Sequence, residues 1–190
     1  MPAAAGALLK RYLRTAAVYL EYGSGGSTVV AAGLCPCVIS VDSDSRFLDA
    51  VTAKVQATNA ACRFYPVYAD IGRTGKYGKP LLRFLPSEKW QRYPASPWEV
   101  LRRLGVMPSV VLIDGRFRVA CALRVLLELP NDAGAAILFD DFSNRPYYRI
   151  VLDFADEVER AGRLVVLRKR KNFDDFRGRV LSRRYERDWR

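Results

Sequence analysis

The residues able to do chemistry in this chain are a few carboxylates and one glycine turn. In the run VYLEYGSGGST, residues 18–28, Glu21 stands two positions before Gly23, and Gly23, Gly25 and Gly26 leave the backbone bare around Ser24 and Ser27. Only glycine lets main-chain N–H groups approach a bulky ligand while taking positive φ. The small apolar run 29–32 reads as the first turns of a helix whose N-terminus faces the same point, so a nucleotide-like ligand is expected there. Asp42 ends the apolar run 38–41, about twenty residues past Gly23, where a βαβ unit delivers an acid to ribose hydroxyls. A dinucleotide fingerprint usually carries a hydrophobic residue just before its glycines; the carboxylate of Glu21 favours a ligand with a cationic end.

Asp70, Asp114, Asp140 and Asp141 join Asp42 at or just past predicted strands, and a parallel sheet would collect them along one edge. Asp44 reads instead as a helix cap. Histidine is absent, which excludes serine-histidine and cysteine-histidine hydrolase chemistry; were a substrate hydroxyl to need deprotonation, Asp114 or Asp141 would be the nearest base. Arg116, Arg118 and Arg145 follow these acids closely. Each either pairs with a carboxylate or presents a planar fork to a carboxylate or phosphate of a substrate.

Glu21-Tyr22-Gly23-Ser24-Gly25-Gly26-Ser27 resembles motif I of the class I S-adenosylmethionine-dependent methyltransferases. Asp42 matches the acid at the end of that family's second strand, and Asp70, in the run VYADI, resembles the acid that meets the adenine amine after the third. The likeness covers residues 18–167 and departs after Gly25, where the usual x-G is replaced by Gly26-Ser27. It implies S-adenosylmethionine as cofactor, held by Glu21, Gly23, Ser24, Gly25, Ser27, Asp42 and Asp70, and methyl transfer to an unidentified acceptor. Asp114 with Asp140 and Asp141 looks like the arrangement in metal-dependent, catechol-type O-methyltransferases, where oxygen ligands hold Mg²⁺. There the last strand's acid is followed by asparagine, whereas here the second residue is Asp141.

The elements that must position these groups alternate β and α. Residues 3–14 form an amphipathic leading helix, strands follow at 18–21 and 37–41, and a helix runs from Asp44-Ser45 to residue 59. Residues 63–68 give a third strand near the sheet edge. Residues 71–95, with Arg73, Lys76, Lys79 and Arg83, read as a lid or substrate-binding loop, and their charge favours an acidic acceptor. Ser96-Pro97-Trp98-Glu99 is a capping box opening a helix that ends near Gly105. Strands at 110–113 and 135–139 flank a helix over 117–129. Residues 147–161 read as an amphipathic helix stopped by Gly162, and 164–167 as a further strand. Beyond Arg168 an antiparallel strand within 179–184, a basic helix and a disordered tail are all open. The expected fold class is a doubly wound, mostly parallel Rossmann-like α/β sheet with helices on both faces.

At 190 residues and 50% hydrophobic, the chain fits one domain, 1–190. No run reaches the roughly 18 apolar residues of a membrane span, and Lys10, Arg11 and Arg14 follow the N-terminal alanines in the wrong order for a secretory signal, so a cytoplasmic protein is expected. Cys35, Cys37, Cys62 and Cys121 lack zinc-site spacing and read as buried free thiols. The net charge of +11 is concentrated in the basic segment 168–190. Two rival readings follow: a nicotinamide-dependent oxidoreductase, which shares Gly23, Gly25 and Asp42 but not Glu21, and a non-catalytic protein that binds nucleic acid through its basic tail.

Overall fold

The computed structural model describes residues 1–59, 61–75, 78–81, 88–131 and 133–190. Its chain runs α1 (Ala3–Leu13), β1 (Tyr19–Tyr22), α2 (Gly26–Ala32), β2 (Cys37–Asp42), α3 (Ser45–Thr58), β3 (Arg63–Tyr68), β4 (Thr74–Gly75), β5 (Lys79–Pro80), α4 (Arg92–Leu104), β6 (Val110–Ile113), α5 (Arg118–Glu128), β7 (Ala136–Phe139), β8 (Ala155–Ala161), β9 (Leu164–Lys169) and α6 (Asp175–Tyr185). Seven strands form one sheet in the order β3-β2-β1-β6-β7-β9-β8. The five from β3 to β7 are parallel, and β9 runs antiparallel to both its neighbours. This is the expected mostly parallel α/β sheet.

Alternation along each strand divides the core into two layers. Tyr19, Val38, Val110, Leu112 and Leu138 pack under Leu8, Leu9 and Leu13 of α1. Leu20, Tyr22, Ile39, Ile113 and Phe139 face α4 and α5, with Trp90, Trp98 and Phe117. The central strands are buried on both faces, as a covered parallel sheet requires, whereas β3 at the edge is largely open on its outer side. Asp44 caps α3, its carboxylate accepting the Phe47 N–H at 3.1 Å. The four cysteines are free, and three of them are buried.

Two expectations are corrected. Residues 147–161 are a 3₁₀ stretch, Pro146–Asp153, followed by β8; Gly162, at φ 62°, is the turn of a hairpin into β9 and not a helix stop. Tyr148, Val151 and Phe154 have helical spacing, but a one-sided 3₁₀ turn buries the same residues. The charged, exposed side chains of β8 suit a sheet edge that must not pair further. Second, α4 begins at Arg92, so Ser96 lies inside the helix and its buried hydroxyl has no hydrogen-bond partner. Burial of Trp90 and Tyr93 against Phe117, at 5.5 and 5.6 Å, and the Tyr22 hydroxyl bonded to Pro94 O at 2.8 Å draw the preceding turn into place. Residues 71–95 therefore hold a two-stranded ribbon and a helix start, while Lys76 and Arg83 lie outside the described residues. Of the alternatives open beyond Arg168, the basic helix is the one found: residues 179–184 belong to α6, capped by Asp174 and packed on α5.

Candidate functional site

The turns after β1 and β6 press backbone against backbone. Gly23 has φ 99°, and a Cβ there would lie 2.7 Å from Gly115 Cα; a Cβ on Gly115 would lie 2.1 Å from the Tyr93 hydroxyl. Both glycines are therefore demanded by close approach. Gly25 is different: its φ of 165° is ordinary extended backbone, and a Cβ would meet nothing within 4 Å. The bare face of Gly25 opens on a cavity of about 500 Å³ at the carboxyl ends of the strands.

Glu21 lies behind this turn and does not line the cavity. Its carboxylate is fully buried and accepts hydrogen bonds from Tyr19 at 3.0 Å, Ser27 at 2.8 Å, Ser40 at 2.7 Å and Thr28. It thus ties the first turn of α2 to β1 and β2. Burial drives its carboxyl from the ordinary 4.5 up to about 7, against the four hydroxyls, which favour the ionised form.

Gly23, Ser24, Gly25, Ser27 and Asp42 all line the cavity. Asp42 accepts the backbone N–H of Ser24 at 3.1 Å and of Asp44 at 3.0 Å, one on each oxygen, and burial raises its pKa. It therefore joins the turn after β1 to the end of β2 while keeping lone pairs for a ligand. Asp70 stands apart from the cavity. Lys89 at 2.8 Å and the Gly72 N–H at 2.9 Å hold its pKa below the usual range.

The acids past β6 and β7 meet as expected: carboxylate oxygens of Asp114, Asp140 and Asp141 lie within 4.8 Å of one another. Arginines fill the space between them. Arg118 is 6% exposed and spends its guanidinium on Asp114 Oδ1 at 2.9 Å, Asp141 Oδ2 at 3.2 Å, and the carbonyls of Asp114, Gly115 and Asp140 at 2.8–3.0 Å. Arg163 reaches Asp140 at 3.3 Å and Asp141 at 3.0 Å, and Arg145 lies 3.7 Å from Asp141. Burial raises Asp114 to about 6, with Arg118 opposing and the neighbouring acids assisting. Phe117 and Asp141, the non-glycine residues with positive φ among those described, both sit here, at 53° and 58°. Arg116 lines the cavity half-buried and pairs with no carboxylate among the described residues.

Sequence reasoning missed Tyr93, assigned to a loop, and Arg163, hidden behind a misread helix. Lys10 of α1 also lines the cavity, and the amphipathic pattern of that helix was the signal for a covering element.

Neither a family model nor a curated protein matches the chain. A methyltransferase-like protein of Silicibacter pomeroyi DSS-3 superposes with a TM-score of 0.82 at 35% identity, over 99% of this chain and 96% of that one. The N-methyltransferase NodS of Bradyrhizobium japonicum WM9 superposes at 0.52 with 13% identity, over 87% of this chain and 94% of its own. An rRNA methylase of Streptococcus thermophilus does so at 0.50 with 13% identity, over 86% and 93%. These last two share the fold.

Gly23→Ala combines positive φ with backbone overlap and is expected to cost about 2 kcal/mol in thermal melts, whereas Gly25→Ala leaves stability nearly unchanged. Glu21 adds a pH dependence. Its folded pKa of about 7 lies above the ordinary 4.5, so its contribution to stability is present below about pH 4.5 and is lost as pH rises through 7; Asp114 acts in the same direction through 6. The melting temperature is expected to fall between pH 5 and pH 8, and Glu21→Gln should flatten that slope.

Proposed function

The chain belongs to the methyltransferase-like family, with the class I S-adenosylmethionine-dependent methyltransferase fold, and we propose that it binds S-adenosylmethionine in the cavity beyond β1 and β2 and methylates an anionic acceptor. The observation that carries this reading is the convergence of Ser24, Gly25, Ser27, Asp42 and Asp114 on one cavity, with Gly25 bare toward it. When bound, the cofactor supplies an activated methyl on a sulfonium centre.

In this reading Asp42 accepts the ribose hydroxyls, the 24–27 turn lies along the amino-acid end, and the Asp114 carboxylate faces the cationic end. Glu21 contributes from behind by holding Ser27 and Thr28 in place. Asp70 lies too far aside to line the cavity, so its part in cofactor binding is indirect. The catalytic contribution is largely alignment of acceptor and methyl for in-line displacement. Asp114, raised toward neutrality by burial, is the base for a hydroxyl acceptor, with Asp141 next to it. Arg116, which pairs with no carboxylate among the described residues, provides the guanidinium for an acceptor's carboxylate or phosphate, whereas Arg145 lies against Asp141 and Tyr147 and does not line the cavity. Arg118, with every donor engaged inside the protein, takes no part in substrate contact.

Calorimetry with S-adenosylhomocysteine tests the cofactor. Gly25→Val should keep the wild-type melting temperature and lose at least about tenfold in affinity, since a side chain there has space in the protein but not beside a ligand. Unchanged affinity in the folded variant would reject the reading, and a response to NADH alone would favour the oxidoreductase. Asp42→Ala should weaken binding by about 1.5 to 3 kcal/mol. It should also lower stability, because the Ser24 and Asp44 N–H groups lose their acceptor. Asp44→Ala should cost about 1 kcal/mol of stability through loss of the α3 cap.

A further inference from the structure

We propose that Arg118 is a built-in cation: its guanidinium stands where a divalent ion would sit among Asp114, Asp140 and Asp141, and the acid cluster works without metal. Three carboxylates this close repel one another unless positive charge lies between them. The surrounding oxygens have the character of a hard-cation site, since carboxylates of Asp114 and Asp141 and carbonyls of Asp114, Gly115 and Asp140 all point at one centre. That centre is a planar guanidinium whose N–H donors are all engaged, at 2.8–3.2 Å.

The remaining oxygens of Asp140 and Asp141 are also in use. Arg163 takes both oxygens of Asp140 at 3.3 Å and the second oxygen of Asp141 at 3.0 Å. A metal entering here would have to strip two arginines from their partners, and Arg118, 6% exposed and moored by three carbonyls, could leave only by burying its charge unpaired. Arg118 is thereby a positioning residue. It fixes the carboxyl ends of β6 and β7 against each other and sets the Asp114 carboxylate on the cavity wall, with Oδ1 held from behind.

The proposal does not rest on the cofactor, so it is tested with metal alone. Mn²⁺ is titrated into the full chain and followed by electron paramagnetic resonance and thermal melting. Wild type should show no bound Mn²⁺ and the same melting temperature with Mn²⁺ or with a chelator. Arg118→Met vacates the oxygen set, and Mn²⁺ should bind it at least about tenfold more tightly than wild type and raise its melting temperature. Adding Asp140→Asn should abolish that gain. Arg118→Lys keeps a cation in place and should fold without acquiring metal. Stoichiometric Mn²⁺ on wild type, lost in Asp140→Asn, overturns the proposal, as does a folded Arg118→Met that gains no affinity. The wild-type titration decides even if Arg118→Met does not fold.

Discussion

The contact between Gly23 and Gly115 is the constraint on which the site depends. Two strand ends in a parallel sheet stand almost 5 Å apart, and side chains on the turns that leave them would push those turns outward. With no Cβ on either side, the turns instead touch, and the Tyr93 hydroxyl closes over Gly115. Ser24 and Asp114, which leave their strands on neighbouring turns, therefore face one cavity. The later helices are arranged around this contact: α4 brings Tyr93 to it, and Phe117, packed at a tilt against Tyr93 and Trp90, starts α5 from its far side.

Two buried charges brace the contact from opposite faces of the sheet. Glu21 belongs to the layer under α1 and α2, and Arg118 lies at the N-terminus of α5 in the other. Each is expensive to bury and tolerable only because its hydrogen-bonding capacity is used up. The consequence differs with the partners. Glu21 is surrounded by neutral hydroxyls, so desolvation prevails and its proton is held to near neutrality. Arg118 meets carboxylates and carbonyls, and its positive charge opposes the burial that raises Asp114. Neither of these buried groups meets the ligand cavity directly; both determine what the cavity wall presents.

The sequence was most legible where one physical pattern dominated. Apolar runs such as 110–113 can only be buried parallel strands, and acids just past them must gather on one edge, so Asp42, Asp114, Asp140 and Asp141 could be placed before any coordinates. Asp44 as a cap was equally local. Legibility failed where tertiary packing overrode a local pattern. Ser96-Pro97-Trp98-Glu99 has the form of a capping box, but burial of Trp90 and Tyr93 begins the helix a turn earlier. The helical spacing of Tyr148, Val151 and Phe154 is shared by a 3₁₀ turn, and that ambiguity concealed the hairpin carrying Arg163. The roles of Glu21 and Arg118 were hidden for another reason. Their types suggested ligand contacts, and only the directions of surrounding hydroxyls and carbonyls show that each is consumed within the protein.

The basic C-terminal segment bears on the acceptor in a way its charge alone did not suggest. A helix N-terminus is normally a ready anion site, and α5 begins directly beside the cavity. Here the Phe117 and Arg118 N–H groups already bond the backbone oxygens of Trp189 and Arg190, each at 3.3 Å. The Arg190 guanidinium in turn pairs with Asp188 and stacks on Tyr147. The segment thus closes the helix end with its own backbone oxygens, withdrawing those two N–H groups from an incoming anion. In the proposed reading, attraction for an anionic acceptor then falls to Arg116, which is half-buried on the cavity wall and pairs with no carboxylate among the described residues. In that reading an acceptor bound there would itself desolvate Arg116, making its charge count more than that of the solvated arginines along α6.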